Sequence, residues 1–331
     1  MILNQTAELG AVVIGRNEGE RLKRCLASLA SLYPVVYVDS GSTDDSVQWA
    51  KNNGAAVVEL DSDTPFTAAR ARNAGFRQIQ QIAPQGEYIQ FLDGDCEMKD
   101  SWPQTACSFL RSHPDVAAVC GGLRERNPDK TIYNWLCAVE WNQPVGEVRA
   151  FGGNVAIRVS ALKNVDGYRD EVIAAEEDEL CVRLRAVGWR IWRLTQEMAL
   201  HDADMTSFAQ WWRRSKRCGY AYAVGSYLHG ASAERHFVWE SRRALIWGIW
   251  LPLACLSATI IAWPLGMLTW VVYPLQGMRQ IVRTHGSLHR RATIAFYQGL
   301  ARFPEALGQL AFARDRLYGR TRLHTSRHGE G

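Results

Sequence analysis

Asp93-Gly94-Asp95 sets two carboxylates one residue apart, directly after the apolar run Tyr88-Ile-Gln-Phe-Leu92. Two carboxylates so spaced can reach one hard cation together. Oxygen ligands suit Mg2+ or Mn2+, ions that complete their shells with water and substrate phosphates. A cation bridging a diphosphate would neutralise the leaving group of a nucleotide-sugar, so Mn2+ or Mg2+ is the expected cofactor. The triplet does not begin an EF-hand loop, because the Gly and later Glu such a loop requires are not in place. Alone, it is also an ordinary turn composition. A second acidic group, Glu176-Glu177-Asp178, opens a pattern with Leu180, Leu184 and Val187 on one helical face, closed by Gly188. Acidic residues there are favoured by the helix macrodipole whatever else they do.

The elements that would position these groups alternate along residues 10–120. Ala11-Val-Val-Ile14 reads as a strand, and Leu22, Cys25, Leu26 and Leu29 recur at helical spacing. Val35-Val-Tyr-Val38 is a second strand, followed by a helix from Asp44 to Asn53 closed by Gly54. Ala56-Val-Val-Glu-Leu60 is a third, a helix runs from about Ala68 to Ile82, and Tyr88–Leu92 is a fourth strand. Gly152 to Arg158 reads as a loop entering a strand, and Trp189 to Leu194 as the last strand. This rhythm predicts a doubly wound, mostly parallel α/β sheet. Polar clusters follow three strands: Gly15-Arg16-Asn17-Glu18, Asp39-Ser40-Gly41-Ser42-Thr43-Asp44 and Asp93-Gly94-Asp95. Ligands of such sheets bind outside the carboxyl ends of the strands, so the three clusters should converge on one crevice.

These stretches resemble the family 2 glycosyltransferases with a GT-A fold, a Rossmann-like sheet. The matching segments are Gly15-Arg-Asn-Glu18, Val38-Asp-Ser-Gly-Ser-Thr-Asp44, Ala71-Arg-Asn-Ala-Gly75, Leu92-Asp-Gly-Asp95, Gly152-Gly-Asn154, and Glu177-Asp-Glu-Leu180 with Arg183-Leu-Arg. They stand in family order over about residues 10–205. The resemblance implies that Asp39 contacts the nucleobase and that Arg72 lies near the nucleotide. It implies that Asp93 and Asp95 hold the metal and diphosphate, that His201 can complete the metal shell, and that Asp178 is the base. Arg16, Asn17, Glu18, Ser40, Gly41, Gly94, Asn154 and Glu177 complete the expected donor site. Asp178, at a helix start, could take the acceptor hydroxyl's proton within hydrogen-bond reach. Attack opposite the departing diphosphate would invert the anomeric centre. Gln210-Trp-Trp-Arg-Arg214 has a spacing like the Q-x-x-R-W motif of processive synthases, but Arg214 stands where Trp would be. That departure favours an amphipathic interfacial helix over processive synthesis.

The chain has 331 residues and a net charge of +4, which hides an asymmetry. Residues 205–331 hold 17 Lys and Arg against 5 Asp and Glu, whereas residues 1–204 hold 21 against 29. The acidic part suits a metal and sugars. The basic part suits anionic lipid, and no nucleic-acid partner is expected. Residues 244–278 carry no charge and are flanked by Arg242 and Arg243 on one side and Arg279 and Arg283 on the other. Basic flanks at both ends favour both staying cytoplasmic, with Trp263-Pro264-Leu265-Gly266 a place where a hairpin could turn. The expected organisation is a catalytic domain over 1–204, amphipathic basic helices over 205–243, a hydrophobic membrane segment (hairpin or single span) over 244–278, and a basic helical tail over 279–331. Met1–Glu8 carries neither a basic n-region nor an apolar run, so no secretory leader is expected. Eight scattered cysteines suggest neither a zinc site nor a disulfide frame. The expected location is a membrane, with the catalytic domain cytoplasmic (the inner membrane if bacterial). The expected partners are a nucleotide-sugar donor, an acceptor glycan or lipid-linked sugar, and membrane lipids. The alternatives fit less well. A sugar nucleotidyltransferase would need a Gly-rich loop after the first strand, a glycosidase would not explain the Asp39 and Asp93 clusters, and an inactive membrane scaffold would not explain both acidic motifs.

Overall fold

The computed structural model describes residues 8–320, so the expectations for the chain's first seven residues and for the end of the basic tail, 321–331, lie outside the described residues. The chain divides into two compact units, Met1–Thr206 and Ser207–Gly331.

In the first unit the strands are β1 (Leu9–Gly15), β2 (Val35–Asp39), β3 (Ala56–Glu59), β4 (Tyr88–Asp93), β5 (Cys96–Met98), β6 (Val116–Glu125), β7 (Gly146–Glu147), β8 (Val155–Arg158) and β9 (Arg190–His201). The helices are α1 (Glu20–Ala27), α2 (Ser46–Asn52), α3 (Ala68–Ile82), α4 (Trp102–Ser112), α5 (Ile132–Trp141), α6 (Val159–Asn164) and α7 (Glu176–Ala186). The sheet order is β3-β2-β1-β4-β8-β6-β9-β5, with β7 on β9. β3, β2, β1 and β4 run parallel, as their buried apolar runs require. β8 is antiparallel to both of its neighbours. The last strand does not end at Leu194. It continues to His201 through the polar stretch Thr195-Gln196-Glu197, because β6 pairs with it along that length across register shifts.

Register explains the crevice. Gly15 lies opposite Asp39, and Ile14 opposite Asp93, so the ends of β1, β2 and β4 are level. The three polar clusters therefore leave the sheet side by side. Behind them Val12, Val36, Ile89, Val119, Ile157 and Ile191 are fully buried. The buried Gln90 is satisfied there: its amide accepts from the Trp102 indole N–H at 2.8 Å and donates to the Phe91 carbonyl at 2.7 Å. α3 comes close to β1 because of Gly75. A Cβ there would sit 2.3 Å from Val12 Cγ1.

The second unit is helical: α8 (Phe208–His229), α9 (Val238–Leu245), α10 (Leu251–Ile261), α11 (Val272–Arg283), α12 (Leu288–Leu300) and α13 (Arg302–Leu317). A capping box starts α8, with the Ser207 hydroxyl accepting from the Gln210 N–H and the Gln210 side chain accepting from the Ser207 N–H. Trp211 does not sit at an interface as the amphipathic reading expects. It is buried, edge-on to Tyr297 at 5.1 Å, because it lies on the face that packs inside this unit. α9 runs into α10 through one π turn, Ile246–Trp250. Pro252 has no N–H for the Gly248 carbonyl, which is where a helix accommodates such a turn. The resulting 24-residue helix Val238–Ile261 is, among the described residues, the one helix long and apolar enough to cross a membrane. Only 11% of its most apolar stretch is buried. The chain turns at Trp263-Pro264 into a 3-10 segment, Leu265–Val271.

Candidate active site

Two loops are tied together first. The Asn17 backbone N–H donates to the Ser42 hydroxyl at 2.9 Å, and the Asn17 side-chain Oδ1 accepts from the Thr43 N–H at 2.7 Å. Asn17 holds φ +55°, a conformation Asn tolerates better than most residues. The buried Asp39 carboxylate accepts from the Gly41 and Ser42 N–H groups at 2.9 and 2.8 Å and from the Tyr37 hydroxyl at 2.8 Å. Burial pushes the Tyr37 phenol up, so it stays a donor. Gly41, at φ +81°, passes against the Phe66 ring, over which the Arg16 guanidinium lies at 5.6 Å. Ser40 donates its N–H to the Gly15 carbonyl at 3.1 Å, extending the β1–β2 ladder into the loops.

Arg72 is the hub. It is buried, and it meets three carboxylates: Glu176 at 2.8 Å, Glu177 at 2.9 Å and Asp93 at 3.0 Å. The Tyr168 ring lies under its guanidinium at 5.6 Å. Burial alone would lower its pKa, but Glu177, Asp93 and Glu176 together hold it well above the ordinary value. The neighbouring residue fixes the loop around it. Asn73 donates to the Tyr168 carbonyl at 2.7 Å and to the Asp170 carboxylate at 2.6 Å, and accepts from the Tyr168 N–H at 2.9 Å. In Ala71-Arg-Asn-Ala-Gly75, therefore, Arg72 gathers the carboxylates, Asn73 clamps a loop and Gly75 lets the helix approach the sheet.

Asp95 lies beside His201 rather than beside Arg72. The distance from Asp95 Oδ1 to His201 Nε2 is 3.6 Å. The pair forms because Cys96 of β5 is in register with His201 of β9. The ligand atoms of Asp95, Cys96 and His201 all fall within 4.8 Å of one another. Burial, then the charge of Asp93, pushes the Asp95 carboxyl above the usual range, and Glu18 is pushed up by burial and by Asp95 and Asp93. A carboxylate and an imidazole facing a crevice crowded with like charge are a donor set that fits a hard divalent cation. Asp95 and His201 would hold it. Asp93 is not in that group: its Oδ1 engages Arg72, its N–H donates to Asn154 Oδ1 at 3.0 Å, and its Oδ2 faces Gly153.

The first turn of α7 presents Glu176, Glu177, Asp178 and Glu179, preceded by Ala175 in the left-handed region. The four have different partners. Glu176 and Glu177 reach Arg72, while Glu179 is buried between Arg169 at 3.0 Å and Arg183 at 2.7 Å. Burial and the Glu176 charge push the Glu177 carboxyl up. The Arg183 of the expected motif thus braces α7 through Glu179. Asp178, half-buried, follows Glu177 on the same turn.

Asn17, Glu18, Ser40, Gly41, Gly94, Asp95 and Asn154 lie on loops, Asp39, Asp93 and His201 at strand ends, Arg72 on α3 and Glu177 on the first turn of α7, with Asp178 one residue further on. Gly94 donates its N–H to the Ile14 carbonyl at 2.9 Å. Several neighbours escape the sequence reading. Glu176 and Tyr168 touch Arg72, and the Trp141 ring lies 4.4 Å from that of His201. Gly153 is the tightest: a Cβ there would stand 2.2 Å from Asp93 Oδ2 and 2.7 Å from Arg72 Nη2. Its doubled glycine was the one available signal.

Comparison with known proteins places this geometry. Residues 11–165 match the model of "Glycosyl transferase family 2". The O-antigen chain rhamnosyltransferase RfbN of Salmonella typhimurium is 24% identical over 277 residues, covering 75% of this chain and 85% of that protein. A TPR repeat-containing protein of Synechococcus elongatus is 27% identical over 140 residues, 42% of this chain, and the chain spans only about a third of it (32%). Among solved structures, the mannosyltransferase PcManGT from Pyrobaculum calidifontis, solved with GDP-Man and Mn2+, superposes with a TM-score of 0.56 at 18% identity, covering 95% of this chain and 88% of that one. TarS of S. aureus superposes with a TM-score of 0.51 at 18% identity over 90% of this chain, which spans 55% of TarS. At such identities the superpositions establish the fold, and the sequence match supplies the family. Residues 11–165 thus form a family 2 glycosyltransferase domain, on a mostly parallel, Rossmann-like GT-A sheet.

Proposed function

We propose that this chain is an inverting glycosyltransferase that moves a sugar from a nucleoside-diphosphate sugar to an acceptor hydroxyl, the acceptor being carried by a lipid in polysaccharide or glycolipid synthesis. The observation that carries the reading is the meeting of Arg72 with Asp93, Glu176 and Glu177, beside the Asp95–His201 pair, at the carboxyl ends of the parallel strands. In this reading Asp39, its carboxylate held by two backbone N–H groups, contacts the nucleobase, and the tied loops 15–19 and 39–44 receive the nucleoside. A divalent cation, Mn2+ or Mg2+, would neutralise the diphosphate leaving group when bound by Asp95 and His201. Asp178 accepts the proton of the acceptor hydroxyl. The acceptor oxygen forms its bond to the anomeric carbon as the bond from that carbon to the diphosphate oxygen breaks on the opposite face, inverting the centre. RfbN acts as a rhamnosyltransferase in O-antigen synthesis by its name, which favours a bacterial envelope acceptor here. The charge-free run 244–278 and the exposed helix Val238–Ile261 support a membrane location with the catalytic unit cytoplasmic.

The test is Asp178→Asn, assayed for transfer and, by calorimetry, for donor binding with and without excess chelator. A positioned general base contributes about 10²–10⁴-fold. The rate should fall by that order while donor affinity stays near wild type, and chelator should abolish turnover of the wild-type enzyme. Normal turnover of Asp178→Asn would remove Asp178 as the base. Full wild-type activity in chelator would remove the cation.

A further inference from the structure

Within the helical unit lies a cavity of about 660 Å³, bounded by α9, the π turn, α11, α12 and the start of α13. Its volume is in the range of small-molecule sites, about 300–1,000 Å³. Its lining combines two chemistries. Trp247, Tyr273, Phe296 and Phe303 make an aromatic surface, and Tyr273 stacks on Phe303 with centroids 6.3 Å apart. The lining also holds Arg243 and Arg302, with Gln276, Gln280 and Gln298. Arg302 is paired with the buried Glu305 at 2.6 Å. Arg243 is half-buried, and its Nε has no hydrogen-bond partner and no access to solvent. Arg302 is thus answered by Glu305, whereas Arg243 Nε is left without a hydrogen-bond partner beside the cavity.

A free anion would not use the aromatic wall, and a neutral hydrocarbon would not use the arginines. We propose that this cavity binds a phosphate-headed lipid, with its phosphate on Arg243 and Arg302 and its chain among Trp247, Phe296 and Phe303. Guanidinium groups suit phosphate because their forked donors match its oxygens. The surface around the cavity continues the apolar path: Leu275, Met278 and Val282 of α11 are exposed. The inference rests on the membrane-associated reading above, but not on the chemistry of sugar transfer.

The experiment uses the full-length chain in a neutral detergent, with bound lipid counted by native mass spectrometry. Three probes separate the sources: dihexanoyl phosphatidic acid, the same diacylglycerol without its phosphate, and inorganic phosphate. Retention of one phosphatidic acid, with neither other probe retained, is expected. Arg243→Gln removes charge-assisted hydrogen bonds and should weaken binding about tenfold or more. Gly277→Phe fills the cavity from a position where an added Cβ meets nothing within 4 Å, and should abolish retention. Equal retention of the diacylglycerol or of inorganic phosphate by the wild-type chain would overturn the proposal, as would unchanged binding by both variants. Nucleotide-sugar binding measured in the same preparations keeps the two readings apart. Its loss would count against the transferase reading, whereas its survival with no lipid bound counts against the cavity alone.

Discussion

At the residue scale, the site is a concentration of negative charge arranged around few cations. Arg72 answers three carboxylates, and Asp95 and Glu18 add two more nearby. Such a cluster is held by geometry, and breaking a buried pair costs about 3–5 kcal/mol because it leaves a charge uncompensated. The most sensitive position carries no charge. At Gly153 an added methyl would fall inside the contact distance of both Asp93 and Arg72. Neither neighbour is a flexible tip free to swing, since Arg72 is pinned by Glu176 and Glu177 and Asp93 by Asn154. Gly153→Ala should therefore reduce nucleotide-sugar affinity by an order of magnitude or more, while Gly152→Ala, where an added Cβ meets nothing within 4 Å, should leave it near wild type. Calorimetric titration of both variants with the donor checks the contrast, and equal affinities would dissociate Gly153 from the donor site.

At the scale of elements, α3 and α7 deliver the site. The Thr67 hydroxyl accepts the Arg70 N–H at 3.0 Å and starts α3 at the turn that aims Arg72 inward. α7 is anchored from behind through Glu179 to Arg169, so its first turn can present Glu177 and Asp178 without drifting. Gly75 sets the depth of α3 on the sheet. Replacing a helical glycine by alanine ordinarily gains about 0.5–1 kcal/mol. Here the methyl would meet Val12, itself fully buried in the central strand, at 2.3 Å. Overpacking of a core costs about 1–3 kcal/mol, so the clash wins. Gly75→Ala should lower the first thermal transition of the whole chain and weaken donor binding with it. A raised transition temperature would show that α3 can shift off β1 without strain.

At the scale of the whole molecule, two compact units carry opposite charge, and the uncharged run lies in the basic one. The helix Val238–Ile261 is about 36 Å long at 1.5 Å per residue, and its charge-free part, residues 244–261, about 27 Å, close to a hydrocarbon core of about 30 Å. The chain breaks at Trp263-Pro264, where exposed Ile260, Ile261, Leu265 and Leu268 cluster. Residues 1–206 should fold and bind donor without the remainder, whereas the full chain should require detergent. Seven of the eight cysteines are buried, leaving Cys218 to be replaced before labelling. Single cysteines at Arg235 and Gly319 should then label from the same, cytoplasmic side of sealed vesicles. Labelling from opposite sides would replace the hairpin by one crossing, and recovery of the full chain in the soluble fraction would remove the anchor.

The sequence by itself determined what local pattern can encode. The apolar runs and helical spacings mark β1 to β4 and the helices between them, down to α3 at Ala68–Ile82. Turn-forming clusters after three strands locate the crevice, since parallel strands of one sheet end together. The motifs then name the family, which the match over residues 11–165 supports. Only the tertiary structure decided who faces whom. That β8 runs antiparallel follows from pairing with β4 and β6, which no period-two pattern reveals. That β9 runs on to His201, and that His201 meets Asp95, follows from the register of β5 against β9, two segments about a hundred residues apart. Polar residues 195–197 hide that extension from any hydrophobic count: β6 skips residues 194–196 at a register shift and pairs again from Glu197, through backbone hydrogen bonds that side-chain type does not report. Likewise Asp93 and Asp95 read as equivalent ligands in the sequence. The turn at Gly94-Asp95, between the end of β4 at Asp93 and the start of β5 at Cys96, and the guanidinium of Arg72 give them different partners.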